Sequence, residues 1–161
     1  MFDRVGNAVA AMLVAGAVLS GTAVAQGIPA ETVAWTVDPV AVAKAGHASI
    51  VLHGSVVPGW HVYSLKQAPQ GPTPLLVSVA ANDATTAGGA PIGSAPTRIH
   101  DPAFNLETQF YSGAFTVTLP VRFKPRASAQ AIPVDVRFQT CNGKVCEPPR
   151  NVRLSAPVAG K

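Results

Sequence analysis

An antiparallel β-sandwich is the fold this chain predicts, and three observations predict it. Apolar and polar residues alternate with a period of two in several runs. The 14 Gly and 15 Pro of the 161 residues separate those runs without a period of their own. Beyond residue 25, no run carries the 3.6-residue periodicity of an amphipathic helix. Without crossover helices a parallel α/β sheet is excluded, and many strands divided by turn formers fit a two-layer all-β architecture. With 12% charged and 48% hydrophobic residues, the chain is neither a coiled coil nor a highly charged disordered polymer.

The amino terminus stands apart from that fold. Met1 to Arg4 is a short polar start, Ala8 to Leu19 is an apolar run, and Ala23-Val24-Ala25 before Gln26 is an A-x-A cleavage pattern. Residues 1–25 therefore read as a secretory signal peptide, and residues 26–161 as a single domain. No cysteine follows the apolar run to accept a lipid. Met1 and Met12 both fall within the signal, so the mature domain has no thioether to offer copper. No later run is long enough to span a membrane. Export places the cysteines in an oxidising compartment, where a disulfide persists.

Phe115, Val117, Leu119, Val121 and Phe123 alternate with Ala114, Thr116, Thr118, Pro120 and Arg122, the clearest half-buried strand in the chain. Ile132, Val134, Val136 and Phe138 repeat the pattern, and so do Val152, Leu154 and Ala156. Shorter strands are expected over Thr32 to Asp38, Ala48 to His53, Trp60 to Ser64 and Leu75 to Ala80. The stretch from Ala81 to Pro102, rich in Ala, Gly, Thr and Pro, reads as a long loop, either a surface insertion or a functional segment. The 12 Lys and Arg exceed the 8 Asp and Glu to give +4, but they are scattered singly, which argues against nucleic acid as a partner.

The chemistry concentrates in Cys141-Asn142-Gly143-Lys144-Val145-Cys146, which holds both cysteines of the chain. Asn-Gly within a four-residue gap describes a tight reversal, and cysteines facing each other across it are within reach of a disulfide. Closing so short a loop stabilises by only about 2 kcal/mol, against about 4.7 for a loop of roughly 100 residues. Stability is therefore a weak reason for the bond. Cys141 has the parity of Asp135, Arg137 and Gln139, so an unbulged strand puts it outside the main core. Lys144, Arg137 and Arg150 favour a thiolate, Glu147 opposes it, and Pro148-Pro149 stops the ladder. Spacing alone leaves three readings open: a structural staple, a redox-active pair or a metal site. The metal reading lacks ligands, since two thiolates do not complete a zinc site and His47 and His53 stand about 20 Å apart on a straight strand. His61 and His100 converge only if the fold brings them together. No phosphate loop, nucleophile elbow or paired carboxylates are present, and no cofactor is expected.

Three segments carry a family likeness: Gly59-Trp60-His61-Val62-Tyr63, His100 to Phe123 (HDPAFNLETQFYSGAFTVTLPVRF) and Val134 to Arg150 (VDVRFQTCNGKVCEPPR). From Trp60 to Leu154 the chain resembles the amino-terminal periplasmic domain of the thiol:disulfide interchange protein DsbD. The resemblance implies an immunoglobulin-like sandwich, a periplasmic location and a redox-active Cys141/Cys146 disulfide that exchanges electrons with thioredoxin-like partner proteins. It implies that Cys146 is the exposed nucleophile, Cys141 the resolving cysteine and Phe104 an aromatic cap, with Tyr63 and Tyr111 near the site. A monomer without a membrane span after signal cleavage is expected. The chain departs from the family in having a shorter gap between the cysteines, and Pro102 and Ala103 where acidic residues are usual. It also stops at Lys161, so a separate protein is the expected reductant. The competing expectation is an exported binding sandwich whose disulfide only pins a hairpin.

Overall fold

The computed structural model describes residues 31–43 and 46–159. The expected signal peptide lies outside the described residues. The first layer is built on two long strands, β2 (His47–Val56) and β9 (Ala114–Phe123), which pair antiparallel from His47↔Arg122 to Ser55↔Ala114. Strand β1 (Val33–Val37) adds to the free edge of β2, and the short β5 (Thr85–Ala87) and β6 (Ile92–Gly93) add to that of β9. The second layer is β12 (Arg150–Pro157), β10 (Ala131–Phe138) and β4 (Leu76–Val79), in that order. All of these pairings are antiparallel. No helix of the described residues is long and apolar enough to cross a membrane.

Period-two alternation is why these layers face each other. Every second residue of β9 (Phe115, Val117, Leu119 and Val121) is buried, and so are Ile50 and Leu52 of β2. They share one contiguous core with Ile132, Val134, Val136 and Phe138 of β10, Val77 of β4 and Ala156 of β12. Burying such side chains stabilises by roughly 1.5–3 kcal/mol each. Trp35 of β1 ties the layers at one end, edge-on to Phe115 at 5.4 Å and tilted against Phe138 at 5.6 Å between ring centroids. Gly54 sits opposite Phe115, whose ring lies where a Cβ at residue 54 would be, so only glycine fits there. The fold is an immunoglobulin-like antiparallel β-sandwich.

The stretch from Ala81 to Pro102 is not a free loop. It contains β5, β6 and β7 (Thr97–Asp101), and β7 forms a hairpin with β8 (Leu106–Tyr111). These short segments lack an apolar alternation because they are edges: β5 and β6 satisfy the outer edge of β9, and four of the five β7 residues are exposed. Strands β7 and β8 belong to a third, smaller sheet, completed by β3 (His61–Tyr63) and β11 (Thr140–Cys141) in the order β11-β3-β8-β7. That small sheet carries Cys141, to which Cys146 is bridged. The chain passes into it from β10 at Gln139, whose carbonyl accepts the Tyr63 N–H at 3.1 Å and whose side-chain oxygen accepts the Thr73 N–H at 2.8 Å. The alternation runs on through Thr140, and Cys141 keeps the parity of Asp135 and Arg137. Cys141 is outside the contiguous core cluster, but it faces no solvent, because Thr140 and Cys141 are both 1% exposed.

Candidate functional site

The hairpin that brings the cysteines together is encoded locally. Asn142 Oδ1 accepts the N–H groups of Lys144 at 3.0 Å and Val145 at 2.8 Å, folding the loop back on itself. Gly143 takes the left-handed conformation, with φ of 79°, that this reversal needs. Two rungs flank the cysteines, Asn142 N–H to the Val145 carbonyl at 3.1 Å and Glu147 N–H to the Thr140 carbonyl at 2.9 Å. Cys141 and Cys146 thus form the narrow, non-hydrogen-bonded kind of antiparallel pair, with Cα atoms 4.1 Å apart, and their side chains are joined in a disulfide. The ladder ends at Glu147, where Pro148 and Pro149 offer no further donors.

A polar knot of two buried hydroxyls and a half-buried carboxylate anchors the base of the hairpin. The Glu147 carboxylate accepts the hydroxyls of Thr140 at 2.8 Å and Thr32 at 2.9 Å, and those two hydroxyls lie 3.1 Å apart. Glu147 therefore fastens the hairpin to the residue that precedes β1. Lys144 is exposed at the loop tip and Arg137 is exposed on β10, where it pairs in register with Asn151 and Leu76.

Above the disulfide lies an aromatic layer. The fully buried Tyr63 donates its hydroxyl hydrogen to Asp101 Oδ2 at 2.8 Å, and the Tyr63 hydroxyl oxygen is 3.9 Å from Cys146 Sγ. Burial, reinforced by the Asp101 hydrogen bond, holds the Tyr63 pKa far above the ordinary phenol value, so the residue remains a neutral donor. Asp101, 4% exposed, uses its other oxygen to accept the Ala103 N–H at 2.9 Å. This bond shapes the turn between β7 and β8, with Phe104 N–H to the Asp101 carbonyl at 3.3 Å and Asn105 at φ of 53°. The turn sets the Phe104 ring edge-on to Tyr63, with centroids 5.8 Å apart and planes at 89°. Phe104 thus reaches the disulfide through Tyr63. Opposite Cys141 in the β3–β11 ladder stands His61, packed against Tyr63 and Phe110.

Of the residues singled out from sequence, Cys141, Cys146, Tyr63 and Phe104 come together. Tyr111 lies in the main core, stacked on Phe115 at 4.6 Å and hydrogen-bonded to the backbone of Leu65. His53 bonds Asp38 at 3.0 Å on the outer face, and His100 lies 3.2 Å from Asn105 Oδ1, so neither meets His61 at the site. Sequence reasoning passed over Asp101, weighed His61 only as a metal ligand and Glu147 only as a charge beside the thiols, and did not foresee the Thr32–Thr140–Glu147 knot. Two signals were available: Asp before Pro at a turn marks an Asx turn, and the i, i+2 spacing puts His61 and Tyr63 on one strand face.

A β-sandwich that holds a two-cysteine hairpin beneath a layer of aromatic side chains has the architecture of a thiol:disulfide interchange domain. This chain belongs to the family described as thiol:disulfide interchange protein DsbD, N-terminal, whose model matches residues 28–156. Its fold is similar to the N-terminal domain of Neisseria meningitidis DsbD in the reduced form, with a TM-score of 0.51 and 20% identity over 75% of this chain and 83% of that one. It is also similar to the N-terminal periplasmic domain of Proteus mirabilis ScsB, with a TM-score of 0.53 and 19% identity over 78% of this chain and 45% of that one. No curated protein sequence matches this chain.

Proposed function

We propose that residues 26–161 form one periplasmic domain that carries electrons between thioredoxin-like thiol proteins through the Cys141/Cys146 pair, exported by the signal peptide of residues 1–25 and acting as a monomer. Reduced Cys146, as thiolate, attacks a partner's disulfide, and the partner leaves one sulfur as thiolate while the other stays bonded to Cys146. Cys141 then attacks Cys146 Sγ, the intermolecular bond breaks, and the partner departs with both thiols reduced. The domain is left with its internal disulfide, and a second thiol protein re-reduces it. The observation that carries these roles is the asymmetry of the pair: Cys141 is 1% exposed, whereas Cys146 is only partly buried. Cys146 is therefore the cysteine that an incoming sulfur reaches first.

The reduction potential tests the reading. In the purified domain equilibrated against defined thiol buffers and quenched by alkylation, a value between about −120 and −270 mV is expected for an exchange protein. A value well below about −300 mV is that of a structural staple, and the binding-sandwich reading would replace this one.

Phe104 is proposed as the cap, acting through its contact with Tyr63. Phe104→Ala is expected to raise the rate at which a small thiol such as glutathione reduces the disulfide by about tenfold, because access limits exchange at a shielded sulfur. An unchanged rate in the folded variant assigns Phe104 to loop anchoring alone.

A further inference from the structure

His61, the residue paired with Cys141 in the β3–β11 ladder, has its Nε2 nitrogen buried without a hydrogen bond. Its ring is held on two sides, tilted against Phe110 at 4.6 Å and edge-on to Tyr63 at 5.2 Å between centroids. A phenylalanine could fill that space without stranding a polar atom, so packing alone does not account for histidine here. His61 is the direct cross-strand partner of Cys141. Residues so opposed on antiparallel strands project to the same face, with Cβ atoms about 4.5–5.5 Å apart. In the disulfide form Cys141 has no proton to share. Once reduced, its thiol is shut away from water, and the imidazole is the base on its own face.

The geometry points to His61 as the proton acceptor for Cys141 in the resolving step, an inference that rests on the interchange reading above. The Cys141 S–H proton passes to His61 Nε2, and the sulfur electron pair attacks Cys146 Sγ. The bond from Cys146 to the partner's sulfur breaks and the partner leaves as thiolate, which takes the proton from the imidazolium directly or through solvent. In the reverse direction the imidazolium returns the proton to Cys141 as a donor protein attacks Cys146. No further oxidant or reductant enters the balance. The titratable groups around the ring are Asp101 at the end of β7, Tyr63 on β3, Cys141 on β11 and Cys146 across the hairpin, while β8 contributes the Phe110 ring. Burial holds the His61 pKa below the ordinary value and the Asp101 carboxylate acts against that shift. The imidazole is therefore a neutral acceptor at pH 7, and Asp101 favours the imidazolium that proton transfer creates.

The test is a two-phase reaction of the reduced domain with dithiobis(nitrobenzoate). The first thionitrobenzoate reports adduct formation at Cys146, and the second reports attack by Cys141. In the wild-type domain the second phase is expected to be nearly flat from pH 6 to pH 8. In His61→Phe, which keeps a ring in place, and in His61→Gln, which keeps a polar side chain, the ratio of second-phase to first-phase rate is expected to fall about tenfold at pH 7 and to climb with pH as a free thiol ionises. A folded variant with the wild-type ratio and the wild-type pH profile overturns the assignment. If neither variant folds, the wild-type protein decides: the His61 Nε2 nitrogen resonance should move on reduction of the disulfide, and an identical resonance in both states overturns it. Failure of the wild-type domain to form the Cys146 adduct, or to release the second equivalent, would instead refute the interchange reading.

Discussion

Cys146→Ser is expected to abolish interchange, and Cys141→Ser to stop it one step later with a mixed disulfide trapped on Cys146. Both effects are all-or-none, because a serine hydroxyl neither ionises near neutral pH nor accepts a thiol into a disulfide. What separates the two variants is position. Cys141 lies within the small sheet at 1% exposure, opposite His61 in the ladder, whereas Cys146 is partly open beneath Tyr63. Incubation of each variant with an oxidised thioredoxin-like protein, followed by non-reducing electrophoresis and mass spectrometry, reads the outcome. Adducts on the Cys146→Ser protein with none on the Cys141→Ser protein would reverse the two roles.

The second large effect is on stability. Phe115→Ala is expected to cost about 3–5 kcal/mol, since it removes a buried ring and leaves a cavity that its neighbours cannot fill. The ring is stacked on Tyr111 at 4.6 Å, lies edge-on to Trp35 at 5.4 Å and covers the bare backbone of Gly54. Its loss therefore reaches β1, β2 and β8 together. Denaturant unfolding with the disulfide intact should show the midpoint falling at unchanged slope, and thermal unfolding should drop by about 10 °C or more. A change below about 1 kcal/mol would mean that the layers are not held by this cluster. The reduction potential should stay where it is, because the ring belongs to the main core and Cys141, bridged to Cys146, to the small sheet.

Much of the sandwich was legible because its inner strands obey one local rule. In β9 and β10 every second residue faces the core, so the alternation seen along the chain is the alternation seen in space. The cysteine hairpin was legible for a similar reason: Asn142 and Gly143 make the turn with their own side chain and backbone. The short strands β5, β6 and β7 were not legible. They are edges with no apolar alternation, in which Ile92 and Ile99 are exposed, and only the unpaired margins of β9 and β8 make them strands.

By its sequence alone this protein was determined to be an all-β domain with two cysteines placed across a tight reversal, and its segments placed it near the interchange domains. Whether Cys141 was exposed could not be decided that way, because the small sheet that the chain enters after Gln139 buries Thr140 and Cys141 alike, on both parities of the strand. Nor did local pattern show what fastens the layer over the disulfide, for which only the resemblance pointed to Phe104 and Tyr63. Tyr63 meets Asp101 across 38 positions of chain and Thr32 meets Glu147 across 115. Alternation and turn chemistry act over a few residues, so they are written locally. Burial of a polar group with its partner depends on which strands become neighbours, and the packed sheets alone decide that.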